Sequence, residues 1–121
     1  MKVLYVDDED DLRELATLAL ELDPEMDVRS EASGTEALST AEAWNPDVIL
    51  LDMMMPNMDG PTTLQKLREN PKTATAQVIF ITARAQAREV ESLRLLGARG
   101  VITKPFDPMT LAQAVRATLG A

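Results

Sequence analysis

Neither cysteine nor histidine occurs among the 121 residues. Without cysteine the chain can form no disulfide and offers no thiolate to a metal. Without histidine it lacks the commonest general base and the commonest zinc ligand, and it cannot carry a phosphohistidine of its own. No apolar run approaches the ~18 residues that a membrane-spanning helix needs. Residues 1–10 lack the charged-then-apolar pattern of a secretory leader, so the expected location is the cytoplasm. Also missing is a Gly-rich turn after the first apolar run. Asp7-Asp8-Glu9-Asp10 stands there instead, and four acids would repel the phosphates of a nucleotide. Linkers, repeats and low-complexity segments are absent as well, so residues 1–121 read as one domain with one core.

Charge of one sign is scarce in each half of the chain. Residues 1–60 carry 16 acids and 3 bases, whereas residues 61–121 carry 4 acids and 9 bases. An acidic first half, in a chain of net charge −8, argues against direct nucleic-acid binding. The basic second half has no interleaved aromatics and reads as a solvated surface.

What is present is a set of short apolar runs, each ending on a polar residue. Val3-Leu4-Tyr5-Val6 leads into Asp7-Asp8, and Val48-Ile49-Leu50-Leu51 into Asp52. Val78-Ile79-Phe80-Ile81 leads into Thr82, and Val101-Ile102-Thr103 into Lys104-Pro105. Runs of this length and β-branched content read as strands buried on both faces. A further strand near residues 27–32 alternates polar and apolar residues and belongs at an edge.

Helices fit between the strands. Leu12, Leu15, Ala19 and Leu22 mark the face of the first, with Asp10 and Asp11 at its positive end. Ser33-Gly34-Thr35-Glu36 resembles a capping box for the second, which Asn45-Pro46 ends. Pro61 suits the first position of the third, with Leu64 and Leu67 as its apolar face and Asn70-Pro71 as its stop. The fourth is expected from about Ala85 to Leu96 with Gly97 as its cap, and Asp107-Pro108 opens the fifth. Alternation with short connections predicts an α/β fold, a doubly wound five-stranded parallel sheet. The most apolar strands belong at the centre and the polar second and brief fifth at the edges, an arrangement that the expected order 2-1-3-4-5 satisfies. Its switch point then lies between the first and third strands, where open sheets bind ligands.

In such a sheet Asp7, Asp8, Asp52, Thr82 and Lys104 meet at one edge. Three clustered carboxylates repel one another, and a hard divalent cation relieves them. Mg²⁺ suits oxygen ligands and keeps waters that a phosphate can displace, with Mn²⁺ as the alternative ion. A carboxylate beside such an ion can attack phosphorus and become an aspartyl phosphate. Lys104 supplies a point charge to the phosphoryl oxygens and Thr82 a hydroxyl.

These residues, in this order, resemble the receiver domain of bacterial response regulators over essentially the whole chain. The matching positions are Asp7-Asp8, Asp52, Thr82-Ala83 and Lys104-Pro105-Phe106, with Met55-Pro56 and Asp59-Gly60 in the loop after Asp52. The resemblance implies that Asp52 accepts phosphate from a phosphohistidine on a sensor histidine kinase or histidine phosphotransfer protein. It implies that Asp8, Asp52 and the Met54 backbone carbonyl hold Mg²⁺, with Asp7 acting through water. It further implies that Thr82, Ala83 and Lys104 bind the phosphoryl group and that Lys104-Pro105 is a cis peptide. Such a protein is no enzyme in the ordinary sense; it catalyses only its own phosphotransfer and dephosphorylation. Its output is a downstream protein or an attached domain, and no output domain is expected within these residues.

Three positions depart from the common pattern. Val101 stands where many receivers carry Tyr or Phe, so the expected signal runs through the backbone after Thr82 and not through an aromatic swing. Met54 and Arg84, each two residues beyond a site residue, stand where the family governs water access, and neither activates water well. The four methionines between Met53 and Met58 read as packing and loop filler. A haloacid-dehalogenase-type phosphatase would want a second acid where Met54 stands. The alternative is a receiver-fold interaction module that works without phosphorylation.

Overall fold

Five strands alternate with five helices among the described residues, 1–84 and 86–120, of this computed structural model. The strands are β1 (Lys2–Val6), β2 (Asp27–Glu31), β3 (Val48–Asp52), β4 (Gln77–Thr82) and β5 (Gly100–Thr103). The helices are α1 (Asp10–Glu21), α2 (Gly34–Trp44), α3 (Gly60–Glu69), α4 (Ala87–Leu95) and α5 (Leu111–Thr118). Every strand pairing is parallel, and the order is β2-β1-β3-β4-β5. The polar β2 lies at one edge, as its alternation predicts.

Side chains of a strand point alternately to the two faces, so each apolar run feeds two cores. Val3, Tyr5, Leu50, Ile79, Ile81 and Ile102 pack on the side covered by Ala16, Ala19 and Leu20 of α1 and by Leu111 and Val115 of α5. Leu4, Val6, Ile49, Leu51, Val78 and Phe80 pack on the other side, against Ala37, Ala41 and Trp44 of α2, Leu64 and Leu67 of α3, and Leu93 of α4. Burial at ~1.5–3 kcal/mol per large apolar side chain makes these two layers the main source of stability.

The face of α1 differs from the leucine spacing. Ala16, Ala19 and Leu20 are buried, whereas Leu15 and Leu22 are 40% and 61% exposed. Small alanines let the helix sit close on the sheet, and the leucines then fall to its flanks. The fourth helix begins at Ala87; the expected start at Ala85 lies outside the described residues. Asp107-Pro108 forms a turn, with the Met109 N–H donating to Asp107 Oδ1 at 2.9 Å, and α5 starts only at Leu111.

Helix ends follow their capping chemistry. Ser33 Oγ accepts from the Glu36 N–H at 3.1 Å, and Asp59 Oδ1 accepts from the Thr62 N–H at 2.9 Å. Asn45 closes α2 at φ 57°, and Gly97 follows α4 at φ 106°, a conformation that favours glycine. Trp44, at the end of α2, lies beside the start of β1. The Lys2 ammonium donates to its carbonyl at 3.1 Å, and the Arg29 guanidinium stands 4.5 Å from its ring centre.

Candidate functional site

The ends of β1 and β3 bring three acids together. Val6 pairs with Leu51, so Asp7 and Asp52 leave neighbouring strands at the same level. Asp7, Asp8 and Asp52 each offer a carboxylate oxygen, and these atoms lie within 4.8 Å of one another. Asp7 is fully buried and Asp52 nearly so, while Asp8 is exposed. Asp7 is held on several sides. Its Oδ1 accepts from the Glu9 N–H and its Oδ2 from the Tyr5 hydroxyl, each at 3.0 Å. Its carbonyl accepts from Arg13 Nη1 at 2.8 Å, and Arg13 also pairs with Asp10.

Lys104 enters the same pocket from β5. Its Nζ is 2.9 Å from Asp7 Oδ2 and 3.3 Å from Asp52 Oδ1. The Lys104 N–H donates to the Thr82 carbonyl at 2.8 Å, which ties the end of β5 to the end of β4. The Lys104–Pro105 peptide is cis. Phe106 then packs edge-on against Tyr5, with ring centres 6.5 Å apart.

Close burial shifts the protons of these groups. Burial pushes the Asp52 carboxyl up, the Asp7 charge adds to it, and Lys104 and the Met54 backbone N–H offset only part, leaving about 6. Burial opposes the Lys104 cation, but hydrogen bonds and charge from Asp7 and Asp52 outweigh it and raise the lysine. Burial, then the Asp7 charge and hydrogen bond, hold the Tyr5 hydroxyl well above its ordinary value. It is therefore a donor at any working pH.

The donor set fits a hard divalent cation. All three acids offer oxygen, and three carboxylates against one ammonium leave two negative charges for the ion to neutralise. Asp8, exposed beside two buried partners, leaves the cluster open on one side.

The remaining expected residues border this cluster. Thr82 ends β4, and its Oγ1 accepts from the Arg84 N–H at 3.1 Å. Thr82, Ala83 and Arg84 line a groove of about 400 Å³ with Met53, Met54 and Glu89. Met55 is buried, as filler should be, but Met54 is 79% exposed and stands at the groove instead. Val101 pairs with Phe80 and packs, half-buried, against the core under α2, α3 and α4. On the opposite flank Leu12, Leu15, Ala83, Pro105 and Phe106 line an apolar groove of about 290 Å³ that reaches Lys104.

Several contributors escaped sequence reasoning. Tyr5 sits inside an apolar run, which says nothing of a hydroxyl aimed at Asp7. Arg13 and Glu89 lie on α1 and α4, whose docking the sequence pattern does not fix. The need for glycine at Gly60 is steric: a Cβ there would stand 2.5 Å from the Asp52 carbonyl oxygen and 2.9 Å from the Phe80 ring. The Gly60 N–H also donates to the Met53 carbonyl at 3.0 Å, folding the loop back beneath the site.

Comparison with known proteins agrees with this fold. Residues 3–116 match the family described as response regulator receiver domain. The chain belongs to that family. This receiver is 38% identical over 117 residues to the transcriptional regulatory protein CseB of Streptomyces coelicolor, which covers 97% of this chain and 48% of that one. It is 39% identical to the nitrate/nitrite response regulator protein NarP of Escherichia coli, covering 96% and 54%. The receiver thus spans about half the length of these curated relatives. A 14.6 kDa protein of Leptolyngbya boryana is matched over 88% of its length at 35% identity. Among solved structures, the chemotaxis response regulator CheY4 of Vibrio cholerae superposes with a TM-score of 0.88 at 30% identity, covering 97% of each chain.

Proposed function

We propose that this receiver accepts a phosphoryl group on Asp52 in a Mg²⁺-dependent transfer from a phosphohistidine of a sensor histidine kinase or histidine phosphotransfer protein. The observation that carries this reading is a nearly buried Asp52 whose oxygen lies within 4.8 Å of two further carboxylates and 3.3 Å from Lys104. Asp8, Asp52 and the Met54 carbonyl would hold the ion, with Asp7 acting through water, and Mn²⁺ suits the same donors. When bound, the ion neutralises charge between the carboxylates and the incoming phosphoryl oxygens.

The chain's own residues do the rest. Asp52 remains mostly ionised at neutral pH despite its raised pKa, so an oxygen lone pair is available. That oxygen forms the bond to phosphorus as the donor's phosphorus–nitrogen bond breaks, and the freed imidazole takes up a proton from solvent. Lys104 then exchanges its carboxylate partners for a phosphoryl oxygen, and Thr82 with the Ala83 backbone supplies further donors. The apolar groove of Leu12, Leu15, Pro105 and Phe106 gives a donor protein a surface to rest on beside Lys104.

The signal leaves through the backbone after Thr82. Turning the Thr82 hydroxyl toward a phosphoryl oxygen would break its bond from the Arg84 N–H and so disturb the segment that leads into α4. Leu93 is the one buried residue of α4 among the described residues, so little packing resists a shift of that helix. The face around α4 and β5, with Arg88, Arg94 and Arg99 exposed, then meets a downstream protein or an attached output domain. The protein acts in the cytoplasm, and this domain contacts neither nucleic acid nor membrane.

Incubation with a small-molecule phosphodonor and Mg²⁺, followed by intact-mass measurement, tests this reading. One phosphoryl group per chain is expected in the wild type, none in Asp52→Asn and little in EDTA. Full incorporation in Asp52→Asn would reject the acceptor. A wild type that takes up none, yet still binds its partner, would favour a module that works without phosphorylation.

A further inference from the structure

Tyr5 is the chain's single tyrosine, it is wholly buried, and the transfer chemistry above makes no use of it. Its ring lies in the core beneath the site, packed edge-on against the Phe106 that follows Lys104-Pro105. Its hydroxyl reaches upward to Asp7 Oδ2 at 3.0 Å. That oxygen has a second partner, Lys104 Nζ at 2.9 Å, while Oδ1 takes the Glu9 N–H at 3.0 Å. A carboxylate has about four acceptor positions. Three are filled here, and the fourth, on Oδ1, is the one Asp7 can offer to water or an ion.

We propose that Tyr5 is a positioning residue that holds the Asp7 carboxylate in place from the core side while Lys104 changes partners. The two donors on Oδ2 differ in kind. Lys104 is a flexible cation whose other contact is Asp52, so it must leave Asp7 when Asp52 carries a phosphoryl group. Tyr5 is fixed by close packing, and the hydrogen bond its hydroxyl makes among the described residues is the one to Asp7. When Lys104 departs, an Asp7 without Tyr5 would keep only the Glu9 N–H, a hinge about which the carboxylate can turn. With Tyr5 both oxygens stay anchored, and the free position on Oδ1 keeps its direction. Asp7 acts on the ion through water, so Tyr5 stands one layer beyond the partners whose loss commonly weakens metal affinity by about 10–100-fold, and the effect belongs at the low end of that range.

This assignment rests on the receiver reading of the site, and its test separates the two. Tyr5→Phe keeps the ring and its contact with Phe106 and removes only the hydroxyl. In a Lys104→Met background, where Asp7 Oδ2 has lost its lysine partner as it does on loading, Mg²⁺ titration followed by calorimetry should give a dissociation constant raised about tenfold by Tyr5→Phe. Phosphorylation of Tyr5→Phe with Lys104 in place should proceed close to the wild-type rate at saturating Mg²⁺. Equal affinities with and without Tyr5→Phe in the folded Lys104→Met protein would overturn the assignment while leaving Asp52 as acceptor. A wild type that neither binds Mg²⁺ nor takes phosphate would overturn the receiver reading itself. The wild type supplies a second measurement that needs no Tyr5 variant, the carbon resonance beside the tyrosine hydroxyl. In metal-free protein Asp7→Asn should shift it clearly, whereas Mg²⁺ or a phosphoryl mimic added to wild type should shift it far less. Equal shifts would mean that the Tyr5–Asp7 bond breaks on loading, and the anchoring role would fall.

Discussion

Replacing Asp52 with asparagine should stabilise the metal-free protein at neutral pH, and the gain should fade as the pH falls. In the fold, burial and the Asp7 charge lift the Asp52 carboxyl from 3.8 to about 6. A raised carboxyl binds its proton more tightly in the folded than in the unfolded chain, so stability declines as pH rises between those two values. One pKa unit corresponds to about 1.4 kcal/mol, so by pH 7 ionisation of Asp52 costs the fold about 2–3 kcal/mol. Asparagine cannot ionise and resembles the protonated acid. Near pH 4 the two proteins should therefore lie close together, and by pH 7 the variant should lead by about 2–3 kcal/mol, on the order of 5–10 °C in Tm. Denaturant unfolding of both proteins from pH 4 to 8 in EDTA measures the difference directly, since every other titrating group is common to both. Adding Mg²⁺ should narrow the gap at pH 7, because an ion bound only by the native wild type adds stability by mass action. A difference independent of pH, or a wild type that gains on the variant as pH rises, would refute the placement of Asp52 among uncompensated negative charge.

Mg²⁺ should raise the Tm of the wild type by several degrees and that of Asp8→Asn much less; equal shifts would mean the acids form no metal site. Met54→Asn should release the phosphoryl group faster than wild type, because a polar side chain at that exposed position can hold a water that methionine cannot. A variant no faster in a time course of dephosphorylation would remove Met54 as a shield. Binding of beryllofluoride should move amide resonances most from residue 82 to about 97, and Val101→Ala should keep most of those changes. Changes centred on β5 that vanish in Val101→Ala would show that Val101 carries the signal.

The sheet was legible because each strand is a short run with one polar end. The difference between the polar β2, the brief β5 and the apolar β1, β3 and β4 separates edge from centre, which the order β2-β1-β3-β4-β5 satisfies. The five chain positions at the carboxyl edge follow from the strands being parallel. What periodicity did not reveal is how a helix settles. Leu12, Leu15, Ala19 and Leu22 form a plausible stripe, yet α1 docks on Ala16, Ala19 and Leu20, because close approach to the sheet outweighed the larger side chains. The start of α5 shifted by a turn for a local reason, since Asp107 caps its own loop first. Tyr5 was hidden for a third reason: in a strand buried on both faces, nothing in the pattern distinguishes a ring that only fills space from one that also donates a hydrogen bond.

The two single-copy aromatics, Trp44 and Tyr5, sit at opposite ends of one strand. Trp44 lies where β1 begins, fenced by Lys2 and Arg29, and Tyr5 lies where β1 approaches the acids. Each therefore reports on something different. Emission from the indole, remote from the acid cluster and close to two cations, tracks whether the sheet is assembled. The phenol responds to what Asp7 is doing within an assembled sheet. One unlabelled sample can thus separate loss of structure from loss of occupancy, which for a switch of this size are otherwise easily confused.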